Sequence, residues 1–231
     1  MAPLEKRPAC SGKRGVIRFG FPSGGSDPFT VLCLGAHADD IEIGCGATLL
    51  HLKKLFPGLK IYWVVFSAAG VRVKEAHRAA ELFTAGCDKT VVLKEYPDGF
   101  LPYVGQEVKK FFEELKNNVR PDLIFTHWQG DAHQDHRLLS ELTGNTFRNH
   151  LILEYEIPKY DGDLGRPNLF VPSDSPLYET KVDYLFEAFE SQQSKRWFER
   201  ETFLGLMRIR GMECNAESGY AEAFHCRKVV L

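Results

Sequence analysis

Two clusters of metal-binding residue types stand far apart in this chain. His37, Asp39 and Asp40 lie in "GAHADDIEIGCGATL", and His133, Asp135 and His136 in "DAHQDH". Catalytic zinc typically takes three imidazole or carboxylate ligands and keeps one position for water. Two histidines and one carboxylate of this set would suffice. The remaining acids could then act as a base toward the water and as an orienting partner for an imidazole. Each cluster alone reads more readily as a polar loop with a helix cap, and it is the pair that points to a metal. Bare carboxylates are costly to bury, so these acids sit either in solvent or against a cation.

The elements around the clusters decide whether the two meet. "FTVLCLGA" (Phe29–Ala36), "KIYWVVFSA" (Lys60–Ala68), "KTVVL" (Lys89–Leu93) and "DLIFTH" (Asp122–His127) are apolar and rich in β-branched or aromatic residues, as buried strands are. Helical periodicity follows each of them. It runs from Ile41 to Phe56, from Val73 to a stop at Gly86, over 105–119, and from His136 onward. Asp39 or Asp40 is placed to cap the first helix. Strand and helix alternating four times predict an α/β, Rossmann-like fold, a mostly parallel sheet with helices on both faces. Ligands of such sheets bind outside the carboxyl ends of the strands. His37 follows the first strand and His127, His133 and His136 follow the fourth, so both clusters are expected on one edge of the sheet.

The last third is less regular. A strand near "ILEYEI" precedes a long Pro- and Gly-containing loop. Amphipathic helices are expected over Lys181–Phe198 and in "ETFLGLMRIRG", ending at Gly211, with "YAEAFHCRKVVL" as an edge strand. Residues 1–28 are expected to form an N-terminal arm and residues 29–231 a single domain. The arm and the loop after Ile157 could shape a pocket or an oligomer contact.

Composition narrows the function classes. The chain has 231 residues and a formal net charge of -2, with no polybasic block, so no nucleic-acid footprint is present. Its longest apolar stretch is too short to span a bilayer, and the N-terminus has no continuous apolar signal-peptide core. The six cysteines are scattered without a CxxC pair, which favours reduced thiols and a cytoplasmic protein. Three other readings of the clusters fit less well. "GCGATL" lacks the third glycine of a dinucleotide loop, and the acids before it would repel a pyrophosphate. A non-haem iron facial triad commonly sits on an all-β scaffold. A metallo-β-lactamase-like motif would need histidine at Asp131 and leaves the His37 cluster unexplained.

The paired clusters resemble the LmbE/PIG-L family of zinc-dependent N-deacetylases. Its motifs (A)HPDDE and H-x-D-H appear here as "AHADDIEIG" and "AHQDH". "RPDLIFTH" matches the strand before the second motif, and Arg72 with Glu75 resembles the family's R-x-x-E. "YPDG" (Tyr96–Gly99) resembles a loop whose aspartate touches the sugar, and "RIRG" and "GYAEAF" are weaker similarities. Ala38 replaces the usual proline and Ile41 the usual glutamate; neither position is a ligand in the family. The resemblance implies that His37, Asp40 and His136 bind Zn2+, with Fe2+ as another divalent candidate. It implies Asp39 as general base, a protonated His133 facing the oxyanion, and Asp135 behind His133. Arg72 and Asp98 would contact a substrate. For Arg72 a surface pair with Glu75, and for Asp98 a simple turn, remain open.

The implied activity is removal of an acetyl group from an N-acetylglucosamine-like sugar or its conjugate. A small soluble conjugate is expected as partner, with no nucleic acid and no membrane anchor, on a homo-oligomer. The alternatives are a metal- or sugar-binding protein without turnover, or a metallo-hydrolase of another amide or ester. His51, His77, His150 and His225 carry no partner pattern. His127 is open between structural and functional roles, and Glu156, Arg210 and Glu222 are expected in exposed pairs. The glycines after the first motif read as room for a helix to start close to a metal.

Overall fold

The computed structural model describes residues 28–230. The arm expected over 1–28 therefore lies outside the described residues except for Pro28. Four apolar runs become strands β1 (Thr30–His37), β2 (Lys60–Ser67), β3 (Asp88–Leu93) and β4 (Leu123–His127), followed by β5 (Leu151–Tyr155). The helices between them are α1 (Asp40–Leu55), α2 (Val71–Phe83), α3 (Gly105–Asn118) and α4 (Gln134–Thr146). These five strands are parallel in the order β3-β2-β1-β4-β5, so the expected Rossmann-like α/β fold is found.

The strands are buried on both faces because alternate side chains serve two cores. Val31 and Cys33 of β1 pack with α1, α2 and the later helices, whereas Leu32 and Leu34 pack with Phe111, Phe112 and Leu139 of α3 and α4. The direction in which successive strands are added reverses between β1 and β4, which lie side by side and parallel. The crevice above that switch point is where open α/β sheets bind ligands.

The last third differs from expectation. β6 (Leu169–Pro172) forms within the stretch read as loop, and α5 spans Ser175–Ala188 instead of 181–198. Pro176 in its first turn favours that earlier start, since the missing N–H is unneeded there. α6 (Arg200–Glu213) runs through Gly211, where a Cβ would lie 2.2 Å from the Gly219 carbonyl oxygen. β7 (Ala221–Cys226) is not an edge strand. It pairs antiparallel with both β5 and β6 and leaves β6 at the edge. The interior place fits its burial pattern, with Ala221 through Phe224 all buried.

Candidate metal centre

β1 and β4 end side by side, and the loops beyond them bring His37, Asp39, Asp40, His133, Asp135 and His136 together. Asp39 occupies the N-cap position of α1, but its side chain makes no cap bond. It pairs instead with Arg72, whose Nη2 is 2.9 Å from its Oδ2. Asp40 turns back and accepts the His37 backbone N–H at 2.6 Å. Arg72 also donates to Glu75 at 2.8 Å, and Glu75 accepts from Ser191. Arg72 thus makes both the helical pair and a contact with the first motif.

Neighbouring carboxylates select the tautomers of the neutral rings. His136 Nδ1 lies 2.9 Å from Asp131 Oδ2, so it donates there and leaves Nε2 bare. His37 Nε2 lies 3.0 Å from Asp98 and 3.3 Å from Asp135, which leaves its Nδ1 bare. The two bare nitrogens face each other at 3.2 Å. Asp40 completes the triangle, with Oδ2 3.4 Å from His37 Nδ1 and Oδ1 3.6 Å from His136 Nε2. Donors about 2.1 Å from one tetrahedral ion are about 3.4 Å apart. The donor set and its spacing therefore fit a zinc-sized cation. Lone pairs turned toward one another at this distance repel unless something positive lies between them.

His133 caps α4, its Nδ1 accepting the Asp135 N–H at 3.2 Å. The proton of the neutral ring is therefore on Nε2. Burial, and then the neighbouring His136 and His37, push His133 below its ordinary value, toward that neutral form. Asp135 does not stand behind His133 as expected from the resemblance. Its carboxylate accepts from Gly99 N at 2.8 Å and Leu101 N at 3.0 Å, and approaches His37. Those backbone donors sit on the loop after β3, so Asp135 anchors the Asp98 turn instead. Asp98 itself is largely exposed and is held below the usual carboxylate range by its bond to His37.

Burial pushes the Asp40 carboxyl up, but the imidazoles of His136 and His127 outweigh this and hold it well below the carboxylate range. Burial pushes Asp39 up, and Arg72 offsets only part of that. Glu42, fully buried in the first turn of α1, is pushed well up by burial. Two neighbouring aspartates thus differ sharply in environment.

Other residues of the centre were not read as its parts from sequence. Asp131 also accepts the His133 N–H at 2.7 Å and pairs with Lys159 at 3.0 Å. Its signal was a carboxylate five residues before His136. Lys159 bridges on to Asp163, and Asp163 accepts the Ala132 N–H, so the loop after Ile157 is tied to the second motif. Such a lysine carries no sequence signal. His127 is fully buried. Its ring stacks on His136 with centroids 3.8 Å apart, and its Nε2 accepts the Ala36 N–H at 2.9 Å. It forms the floor of the centre. Glu156, Arg210 and Glu222 are buried rather than exposed. Arg210 pairs with Glu156, and Glu222 with Lys181.

The glycines of the first motif serve packing more than helix initiation. A Cβ on Gly44 would lie 2.3 Å from the Tyr155 ring, and one on Gly46 would lie 2.6 Å from Phe83. Tyr155 in turn donates to Leu34 O at 2.6 Å and stands beside His127.

A Rossmann-like sheet with a His₂Asp cluster at its switch point defines a class of candidate metallo-hydrolase. Comparison narrows it further. The sequence model described as "PIG-L: GlcNAc-PI de-N-acetylase" matches residues 32–147, half of the chain, and the protein belongs to that family. The uncharacterized deacetylase YaiS of Escherichia coli K12 is 29% identical over 140 residues, covering 55% of this chain and 74% of that protein. The N,N'-diacetylchitobiose deacetylase of Pyrococcus horikoshii superposes with a TM-score of 0.65 at 21% identity, over 87% of this chain and 84% of that one. GalB, a 4-carboxy-2-hydroxymuconate hydratase from Pseudomonas putida KT2440, superposes with a TM-score of 0.66 at 16% identity, over 88% and 98%. These two likenesses speak to the fold, which hosts more than one chemistry. Among the described residues no helix is long and apolar enough to cross a membrane.

Proposed function

We propose that this protein is a zinc-dependent N-deacetylase that hydrolyses the acetamide of an N-acetylglucosamine-like sugar or conjugate, releasing acetate and a free amine. The observation that carries the reading is the triangle of His37 Nδ1, Asp40 and His136 Nε2, at 3.2 to 3.6 Å from one another. These three residues would hold the ion. When bound, the ion supplies Lewis acidity toward a carbonyl and lowers the pKa of water toward about 7.

The chain's own residues supply the proton transfers. Asp39 accepts the proton of the attacking water and later returns it to the departing nitrogen. Arg72 holds Asp39 in place for both transfers. His133 donates its Nε2 proton as a hydrogen bond to the oxygen that gains charge, and this needs no net charge on the ring. Asp131 fixes the His136 tautomer. Asp98 and Arg72 contact the sugar. Phe100 and Tyr103, both exposed beside Asp98, offer apolar faces to its ring. A small soluble conjugate handled in the cytoplasm by a homo-oligomer is part of the same proposal.

The test is acetate release from a panel of N-acetylated amino sugars and disaccharides, with and without chelator, beside metal analysis. Chelator-sensitive release is expected. Metal binding without release from any member would favour a binding protein. Hydration of an unsaturated acid without release would favour the chemistry of the similarly folded hydratase.

A further inference from the structure

Helix α1 is broken one turn after Asp40, and the break is filled from elsewhere in the chain. Cys45 has φ -141° and ψ 16°, outside helical values. In an unbroken helix Ala47 N–H would donate to the Ile43 carbonyl. Instead Ala47 N donates to Glu222 Oε1 at 3.0 Å, and Thr48 N donates to Glu222 Oε2 at 2.6 Å. Lys181 Nζ lies 2.6 Å from that same Oε1 and donates to Ile43 O at 2.6 Å. An ion pair from α5 and β7 is therefore spliced into a single backbone hydrogen bond. Both partners are almost fully buried.

The break has a physical reason. The body of α1 is fixed by Leu49 and Leu52 in the core, and the first turn must aim Asp40 at two histidines. The non-helical residue Cys45 lies between these two parts of the helix. Side chains inserted into the ladder kink a helix at a defined place. A carboxylate against the two exposed N–H groups suits the positive end of the second segment.

We propose that Lys181 and Glu222 are positioning residues for the metal centre, holding the Asp40–Gly44 turn at the angle that aims the Asp40 carboxylate. This rests on reading His37, Asp40 and His136 as the ligands. Lys181 and Glu222 themselves reach neither the metal nor the substrate, and their effect is on ligand geometry.

The experiment measures Zn2+ affinity by competition with a chromophoric chelator, and the visible absorption of the Co2+-loaded protein. Wild type is compared with the double variant Lys181→Met/Glu222→Leu. Removing both charges avoids stranding one in the interior, which is the strongly destabilising case, so the double variant separates geometry from stability. Expected is a Zn2+ affinity lower by about 10- to 100-fold, the scale of lost ligand support, together with a changed Co2+ spectrum, in protein that still melts cooperatively. Wild-type affinity and spectrum in the double variant would overturn the proposal and leave the pair a stability element only. Should the double variant not fold, Lys181→Met/Glu222→Gln, which keeps one acceptor and no buried charge, is read by the same two measurements, and wild-type values there overturn it equally. Wild type that binds neither ion would instead remove the metal reading beneath it.

Discussion

His37 Nδ1 and His136 Nε2 face each other at 3.2 Å although 99 residues separate them. Each ring's other nitrogen lies against a carboxylate, so in the neutral rings both facing atoms offer lone pairs. An ion between them should stabilise the fold. At a free Zn2+ concentration about 100 times Kd the gain is about 2.7 kcal/mol, or about 5–10 °C in Tm for a domain of this size. Thermal melts with chelator and then with added Zn2+ are expected to differ by that amount and reversibly. Identical melts would contradict the cation reading.

Asp39 sits beside the cluster without belonging to the triangle. Asp39→Asn is expected to retain stoichiometric metal while turnover falls by about two to four orders of magnitude. Near-normal turnover on an N-acetylated substrate would remove Asp39 from the role of base.

Asp131 is the carboxylate that turns the His136 lone pair toward the centre. Asp131→Asn keeps the shape but can present its amide to Nδ1. Metal affinity is expected to fall by about 10- to 100-fold, with a smaller effect on folding, as read by chelator competition beside a melt. Unchanged affinity would assign Asp131 to the loop contacts with Lys159 alone.

Gly44 has no room for a methyl group, since a Cβ there would meet the Tyr155 ring at 2.3 Å. Gly44→Ala is expected to cost about 1–3 kcal/mol as overpacking, measured by urea unfolding. An alanine variant as stable as wild type would mean that Tyr155 yields freely.

His225 stacks on Trp128, with ring centroids 4.5 Å apart. Burial, helped by the charge of Arg210, lowers its pKa from 6.5 to about 4. Between those values the unfolded chain binds a proton that the folded one does not, so stability rises with pH there. The contribution is complete above 6.5 and is lost as pH falls toward 4. Wild type is expected to lose unfolding free energy more steeply than His225→Gln between pH 6.5 and 4.5. Parallel curves would refute the assignment.

The parts of this fold legible in sequence were those governed by local pattern. β1, β2 and β4 announce themselves as continuous apolar runs, and two motifs each following such a strand imply one edge of the sheet. β6 was hidden because four residues ending in a proline carry too little periodicity to outweigh turn signals. The place of β7 depends on pairing with β5 and β6, which no local pattern encodes. α5 was read late because the aromatic run from Phe186 to Phe198 continues a helical spacing after the helix itself stops at Ala188. In the centre, residue types singled out the two clusters and the family resemblance proposed His37, Asp40 and His136 within them, whereas the supporting contacts of Asp131, Lys159 and Asp135 arise only on folding. Asp135 shows the limit well, since the family resemblance implied a place behind His133 and the structure turns it toward Gly99 and Leu101.

The loop that carries Lys159 and Asp163 bears on how such a protein diversifies. Loops of this length are where relatives gain and lose residues most freely. Here the same segment grips Asp131 and the Ala132 backbone. A lineage that reshapes the loop to admit a new substrate must also find another hold on the second motif, so a change of diet and a change of metal avidity would tend to be inherited together.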